Sequence, residues 1–247
     1  MSRFLLVVPP LTGHVNPLRT VAAELETRGH RVAWCGPEPM TSELTGGAVF
    51  PAGDSRAFAL EKRPPGLRGF AALKYLWEDY LVPLADAMAP GVAAAIAEFE
   101  PDAVVADQQA LAGALVATRC GMPWATSAST STELADPLGG LPKIADWISR
   151  LQDGLRARHG VLTGDLRFSP YGVLAFTTQA LAGPPSTRFA APLRYVGPAP
   201  ARGVDTDFPW DRLDGRPLVL VTLGTANAEV GRRFLAASVD ALAGMPE

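Results

Sequence analysis

The chain of 247 residues has a formal net charge of −3, with 48% hydrophobic and 19% charged residues. That balance fits a globular protein of one or two domains, and it excludes the basic face that a nucleic-acid binder needs. Two cysteines, Cys35 and Cys120, are too few for a disulfide framework; both read as buried free thiols, and no Cys/His grouping has metal-ligand spacing.

The first element is a predicted strand over 3–8 whose continuous apolar run, Phe4-Leu5-Leu6-Val7-Val8, is stopped by Pro9 and Pro10 and reads as a buried strand of a parallel sheet. It is too short for a signal peptide, and no apolar run in the chain reaches bilayer length, so no transmembrane segment is expected and the location expected is cytoplasmic. Asn16 offers an N-cap and Pro17 a pre-set first residue for a helix over 17–28. Further strands are predicted at 31–35, 48–50, 103–106, 123–126 and 172–176, with a weaker one at 194–196. Helices are predicted at roughly 70–98, broken at Pro83 and Pro90, at 109–119 and at 142–158. The repeated β-α-β order predicts the α/β class, a doubly wound parallel sheet of Rossmann-like type.

Beyond residue 197 the pattern changes. Residues 198–216 lack periodicity, are rich in proline, and read as a linker between a first domain over 1–197 and a second that starts at 217. There a predicted strand, 218–223, runs through Gly224 and Thr225 into a helix carrying Leu235, Val239 and Leu242. One β-α unit cannot close a core, so the second domain is expected to be incomplete in this chain.

His14, in Pro10-Leu11-Thr12-Gly13-His14-Val15-Asn16-Pro17, falls on the predicted turn at the carboxyl end of the first strand, where open α/β folds place their ligands. Asp107 ends the fourth strand. In a sheet of order 3-2-1-4-5 these two strands are neighbours at the switch point, so one crevice receives both side chains. A carboxylate bonded to one imidazole nitrogen fixes the tautomer and frees the other nitrogen to take a proton. No Ser or Cys stands out as a nucleophile, so such a dyad would act on a substrate hydroxyl. Plainer readings stand beside this one: Asp107 as the cap of the next helix, and His14 bonded only to backbone.

The remaining candidates carry less. His30, in a helix-to-strand turn, reads as structural, and His159, beside Gly160, as a solvated residue at a helix end. Gly224 and Thr225 lie between a strand and a helix start, a position whose backbone N–H groups suit a phosphate, while a G-x-G-x-x-G after the first strand and a Walker A lysine are both missing. Phe58, Phe70, Tyr75, Trp77 and Tyr80 lie between the third and fourth strands, either as core or as a grip for an apolar substrate.

With these residues in place, the chain resembles the amino-terminal part of nucleotide-sugar-dependent glycosyltransferases of the GT-B fold, the UDP-glycosyltransferase family. The nearest likeness is to bacterial enzymes that act on carotenoids, macrolides and other apolar natural products. The matching pieces are residues 10–17, Arg28-Gly29-His30-Arg31-Val32, Val105-Ala106-Asp107-Gln108, Tyr195-Val196-Gly197-Pro198 and Leu223-Gly224-Thr225. The resemblance implies an inverting transfer of a hexose from UDP or dTDP to a hydroxyl of a hydrophobic small-molecule acceptor. His14 then matches the general base, Asp107 its partner carboxylate, and Gly224 with Thr225 the loop near the donor's diphosphate. It implies no metal ion in the site and no cofactor besides the nucleotide sugar. The family's donor signature lies beyond the last residue of this chain, so the chain is expected to be an acceptor-binding part that does not transfer sugar alone. The alternatives are a non-catalytic binding module or auxiliary subunit of the same fold and a sugar-nucleotide epimerase. Oligomeric state is left open.

Overall fold

The computed structural model describes residues 1–135, 138–185, 192–199, 208–215, 218–224 and 231–243. Contacts within the chain divide it into two units, Met1–Ala201 and Arg202–Glu247.

The first unit is built on a seven-stranded, all-parallel sheet of order β3-β2-β1-β4-β5-β6-β7. The strands are β1 (Arg3–Val7), β2 (Arg31–Glu38), β3 (Val49–Asp54), β4 (Ala103–Asp107), β5 (Trp124–Ala128), β6 (Val173–Ala175) and β7 (Leu193–Tyr195). The α/β class and the parallel sheet expected from the sequence are what the chain adopts. Leu5, Leu6 and Val7 of β1 are wholly buried because both faces of the sheet are covered, the reason an unbroken apolar run marks this strand. On one face Leu6, Val8, Trp34 and Val105 pack against Val15, Leu18 and Ala22 of helix α1 (Thr12–Thr27). On the other, Leu5, Val7 and Val104 pack with Leu84, Met88 and Val92 of α4 (Val82–Phe99) and with Leu111 and Leu115 of α5 (Leu111–Arg119). Short helices α2 (Met40–Thr45), α3 (Gly69–Lys74) and α7 (Gln179–Ala182) and the longer α6 (Pro142–His159) complete the unit.

Several sequence expectations need correction. Helix α1 starts at Thr12, not at 17, with Leu11 at its N-cap and Pro17 inside it. Burial of Val15 against the sheet draws the extra turn into the helix, an apolar gain that overrides the capping signal of Asn16-Pro17. The helix predicted over 70–98 is continuous from Gly69 to Phe99, a π-helical stretch (Tyr75–Leu81) joining α3 to α4. Pro83 falls at the N-terminal start of α4, where the bonding pattern changes, and Pro90 lies on the exposed side, where water can replace the missing N–H. This helix also contains a window of mean hydropathy 1.5, long and apolar enough to cross a membrane, contrary to the expectation that no run is. Half of that window is buried, and its largest side chains belong to the core of the sheet. Cys35 is buried, its thiol pushed up to about 12 by desolvation, but Cys120 is exposed because the buried face of α5 ends at Ala117.

Gly91 is required by packing. A Cβ on Gly91 of α4 would lie 2.4 Å from the Pro51 carbonyl oxygen and 2.6 Å from the Ala52 Cα, so the helix backbone rests directly on β3.

In the second unit the described residues form a single 3-10 turn (Trp210–Arg212) and helix α8 (Arg232–Ala243). The strand predicted over 218–223 is not formed: a strand needs a neighbour to bond its backbone, and no other strand is found among that unit's described residues. Leu218, Val219 and Leu220 are exposed.

Candidate functional site

The switch point lies between β1 and β4, which pair from Phe4↔Ala103 to Val7↔Ala106. Just past the end of β1, the first turn of α1 carries His14, whose own N–H bonds the Leu11 carbonyl at 2.9 Å. The imidazole is therefore rooted on a helix and not on the loop expected from the sequence. Asp107 is the last residue of β4 and almost wholly buried. The fold brings the two together: His14 Nδ1 lies 2.8 Å from Asp107 Oδ1. The His14 side chain keeps 14% of its surface exposed, and its Nε2 has no hydrogen-bond partner among the described residues.

A third residue, not singled out in the sequence, completes the group. Ser129, one position past β5, donates its hydroxyl to Asp107 Oδ2 at 3.0 Å and lies 2.7 Å from His14 Nδ1. With its proton on Asp107, the serine oxygen is an acceptor, so the Nδ1–H is shared between Asp107 Oδ1 and Ser129 Oγ. The serine sits on the Nδ1 side of the ring, opposite to where a base-activated nucleophile would be. The only signal for it in the sequence was its place at the end of the strand next to β4.

Asp107 also accepts the Gln109 N–H at 2.9 Å on Oδ1, so it does tie down the following turn, but the N-cap of α5 is Ala110. The local role and the contact with His14 coexist. Burial of His14 disfavours the imidazolium, yet the Asp107 charge and hydrogen bond, with a smaller contribution from Glu133, hold its pKa above the ordinary 6.5. Glu133 belongs to the same loop as Ser129. Burial raises its carboxyl above the usual range, Asp165 and Asp107 add to this, and Arg167, 3.4 Å away, opposes it. Arg167 is also paired with Asp165 at 2.9 Å and lies over the Trp77 ring.

The other histidines sit elsewhere. His30 accepts the Ser2 N–H on Nδ1 at 3.2 Å and meets the Phe4 ring edge-on, a structural arrangement. His159 is not a solvated helix-end residue: its Nε2 lies 2.7 Å from Asp86 Oδ1, because packing of α6 along α4 carries the helix end to that carboxylate. Burial pushes the Asp86 carboxyl up, but hydrogen bonds and charges from Arg158 and His159 win and hold it low. Of the aromatic group, Trp77 and Tyr80 are buried core, whereas Phe70 is half exposed and lies against Trp147 at 5.5 Å. Gly224 adopts φ +68°, a conformation that favours glycine, and donates its N–H to Thr222 Oγ1 at 3.1 Å. Thr225 lies outside the described residues.

No protein-family model matches the chain. Among characterised proteins it is 30% identical to 4'-demethylrebeccamycin synthase of Lentzea aerocolonigenes, an alignment covering 98% of this chain and 67% of the relative. The chain belongs to the natural-product glycosyltransferases of the GT-B fold. Zeaxanthin glucosyltransferase of Pantoea ananas is 29% identical over 64% of the chain and 43% of its own length. L-demethylnoviosyl transferase of Streptomyces niveus is 28% identical over 74% and 54%. This glycosyltransferase chain thus spans from under half to two thirds of these relatives. The fold likeness agrees: the glycosyltransferase of kitacinnamycin superimposes with a TM-score of 0.67 at 23% identity, covering 99% of this chain and 64% of that one. Spinosyn forosaminyltransferase superimposes at 0.64 and 17% identity, covering 96% and 61%.

Proposed function

We propose that the chain is the acceptor-binding part of an inverting glycosyltransferase, with His14 as the general base toward a hydroxyl of a hydrophobic small molecule. The observation that carries this reading is the 2.8 Å bond from His14 Nδ1 to Asp107, which leaves Nε2 as the free proton acceptor on a partly exposed ring. As the acceptor oxygen attacks the anomeric carbon of a nucleotide sugar, its proton passes to Nε2. The bond from that carbon to the diphosphate breaks with inversion, and the nucleoside diphosphate leaves with the electron pair. Asp107 stabilises the imidazolium formed in this step. The loop of Gly224 and Thr225 is proposed to approach the donor's diphosphate. The reaction so written draws on no metal ion, and EDTA is expected to leave the rate of transfer unchanged. A cytoplasmic location accompanies this reading, and cell fractionation tests it.

The pH profile tests the reading directly. The base works only when neutral, so kcat/KM is expected to rise with pH and to level off above a midpoint that lies higher than 6.5, the ordinary histidine value. The charged pair contributes to folding in the opposite sense. Because the folded pKa is raised, its contribution is complete below the unfolded value and is lost as pH rises through the folded one. Asp107→Asn removes the charge that lifts the midpoint and leaves burial to lower it. The midpoint is then expected below 6.5, with a limiting rate reduced roughly 100-fold because an amide can hold the wrong tautomer. A midpoint unmoved by Asp107→Asn would count against His14 as the titrating base.

A further inference from the structure

We propose that Gln108 is a positioning residue for the base, its carboxamide pairing with the Thr130 backbone as a peptide group would and so holding Ser129 on His14 and Asp107. The side-chain oxygen of Gln108 accepts the Thr130 N–H at 3.2 Å, and its NH2 donates to the Thr130 carbonyl at 3.3 Å. Gln109 adds a longer bond, Nε2 to Thr130 Oγ1 at 3.5 Å. The backbone ladder between β4 and β5 ends with the Gln108 N–H on the Ser127 carbonyl at 3.0 Å, and the β4 chain then turns away into α5. The Gln108 side chain supplies one more rung where the backbone no longer can. Ser129 is thereby held from both sides, by Ala128 in the strand and by Thr130 in the clamp. Gln108 is itself buried, so its amide has few other partners to satisfy it.

Residue type matters here. The rung needs a donor and an acceptor on one planar group at the reach of a glutamine. Glutamate would set a carboxylate oxygen against the Thr130 carbonyl, one residue from Asp107. The hydrogen bonds of the Gln108 side chain run to Thr130 and not to His14, so it acts through Ser129. Its effect on rate rests on the transferase reading, but the geometry does not.

The test uses 15N-histidine labelling of the chain as it stands. Only three histidines report, and His30 accepts a backbone N–H on its Nδ1. In the wild type the His14 Nδ1–H, enclosed by two oxygens, is expected to exchange slowly with water. Gln108→Ala and Gln108→Glu are expected to speed that exchange at least tenfold, with the His30 and His159 signals unmoved. Ser129→Ala, a smaller change, should reproduce the effect, and Ser129→Thr, which keeps the hydroxyl, should restore it. In transfer assays on the full-length protein, Gln108→Ala is expected to lower kcat about 10- to 100-fold with the acceptor KM unchanged. The proposal is overturned if both Gln108 variants keep wild-type His14 exchange, or if all three histidines change together. Failure of the transferase reading would show separately, as transfer that survives removal of the His14 ring.

Discussion

His14→Ala is expected to lower kcat for sugar transfer by about 10²- to 10⁴-fold in the full-length protein while the acceptor still binds. Among the described residues, the ring is the one group at the switch point with a free nitrogen able to take a proton near neutral pH, and its Nδ1 side is fully engaged by Asp107 and Ser129. Its removal leaves a buried carboxylate that retains the Gln109 N–H and the Ser129 hydroxyl, with an opening to solvent where the ring was. The fold should therefore survive. His14→Asn is the stricter variant, since it can still donate to Asp107 but cannot accept the acceptor's proton at neutral pH. Steady-state kinetics and calorimetric acceptor binding separate the outcomes. Loss of rate with binding retained supports a base; equal rates in wild type and both variants would remove His14 from the chemistry and favour a binding module.

Gly91→Ala is expected to destabilise the first unit by about 3 kcal/mol, the upper end of the cost of overpacking. The added methyl would meet the backbone of Pro51 and Ala52, and not the far end of a flexible side chain, so neither partner can step aside. Relief requires α4 to move off β3, and with it Leu84, Met88 and Val92 off the core. Urea unfolding followed by circular dichroism measures the loss. A change under about 0.5 kcal/mol, the size of an ordinary surface substitution, would mean that helix and strand are not in backbone contact.

Much of this fold could be read from the chain because its parallel strands are buried on both faces and so appear as short, unbroken apolar runs such as 4–8 and 103–106. Helix limits were harder. Pro17 and Pro90 carry strong local signals against helix interior, but Val15 and the core face of α4 outweigh them through burial, which no window of sequence displays. Strand 218–223 failed for the converse reason: its residues suit a strand, but a strand exists only with a neighbour. At the site, the pairing of His14 and Asp107 followed from strand order, because both residues adjoin ends of strands that the doubly wound pattern makes adjacent. Ser129 and Gln108 did not. Serine and glutamine after a strand are common, and their roles arise from hydrogen bonds 22 residues apart along the chain or more.

The helix that follows β3 has a consequence for engineering. Phe58, Phe70, Tyr75, Trp77 and Tyr80 lie on the stretch between β3 and α4, and this stretch supplies none of the hydrogen bonds that fix His14, Asp107, Ser129 and Gln108. Substitutions in this stretch that keep the buried Trp77 and Tyr80 are therefore expected to leave the bonds among His14, Asp107, Ser129 and Gln108 in place.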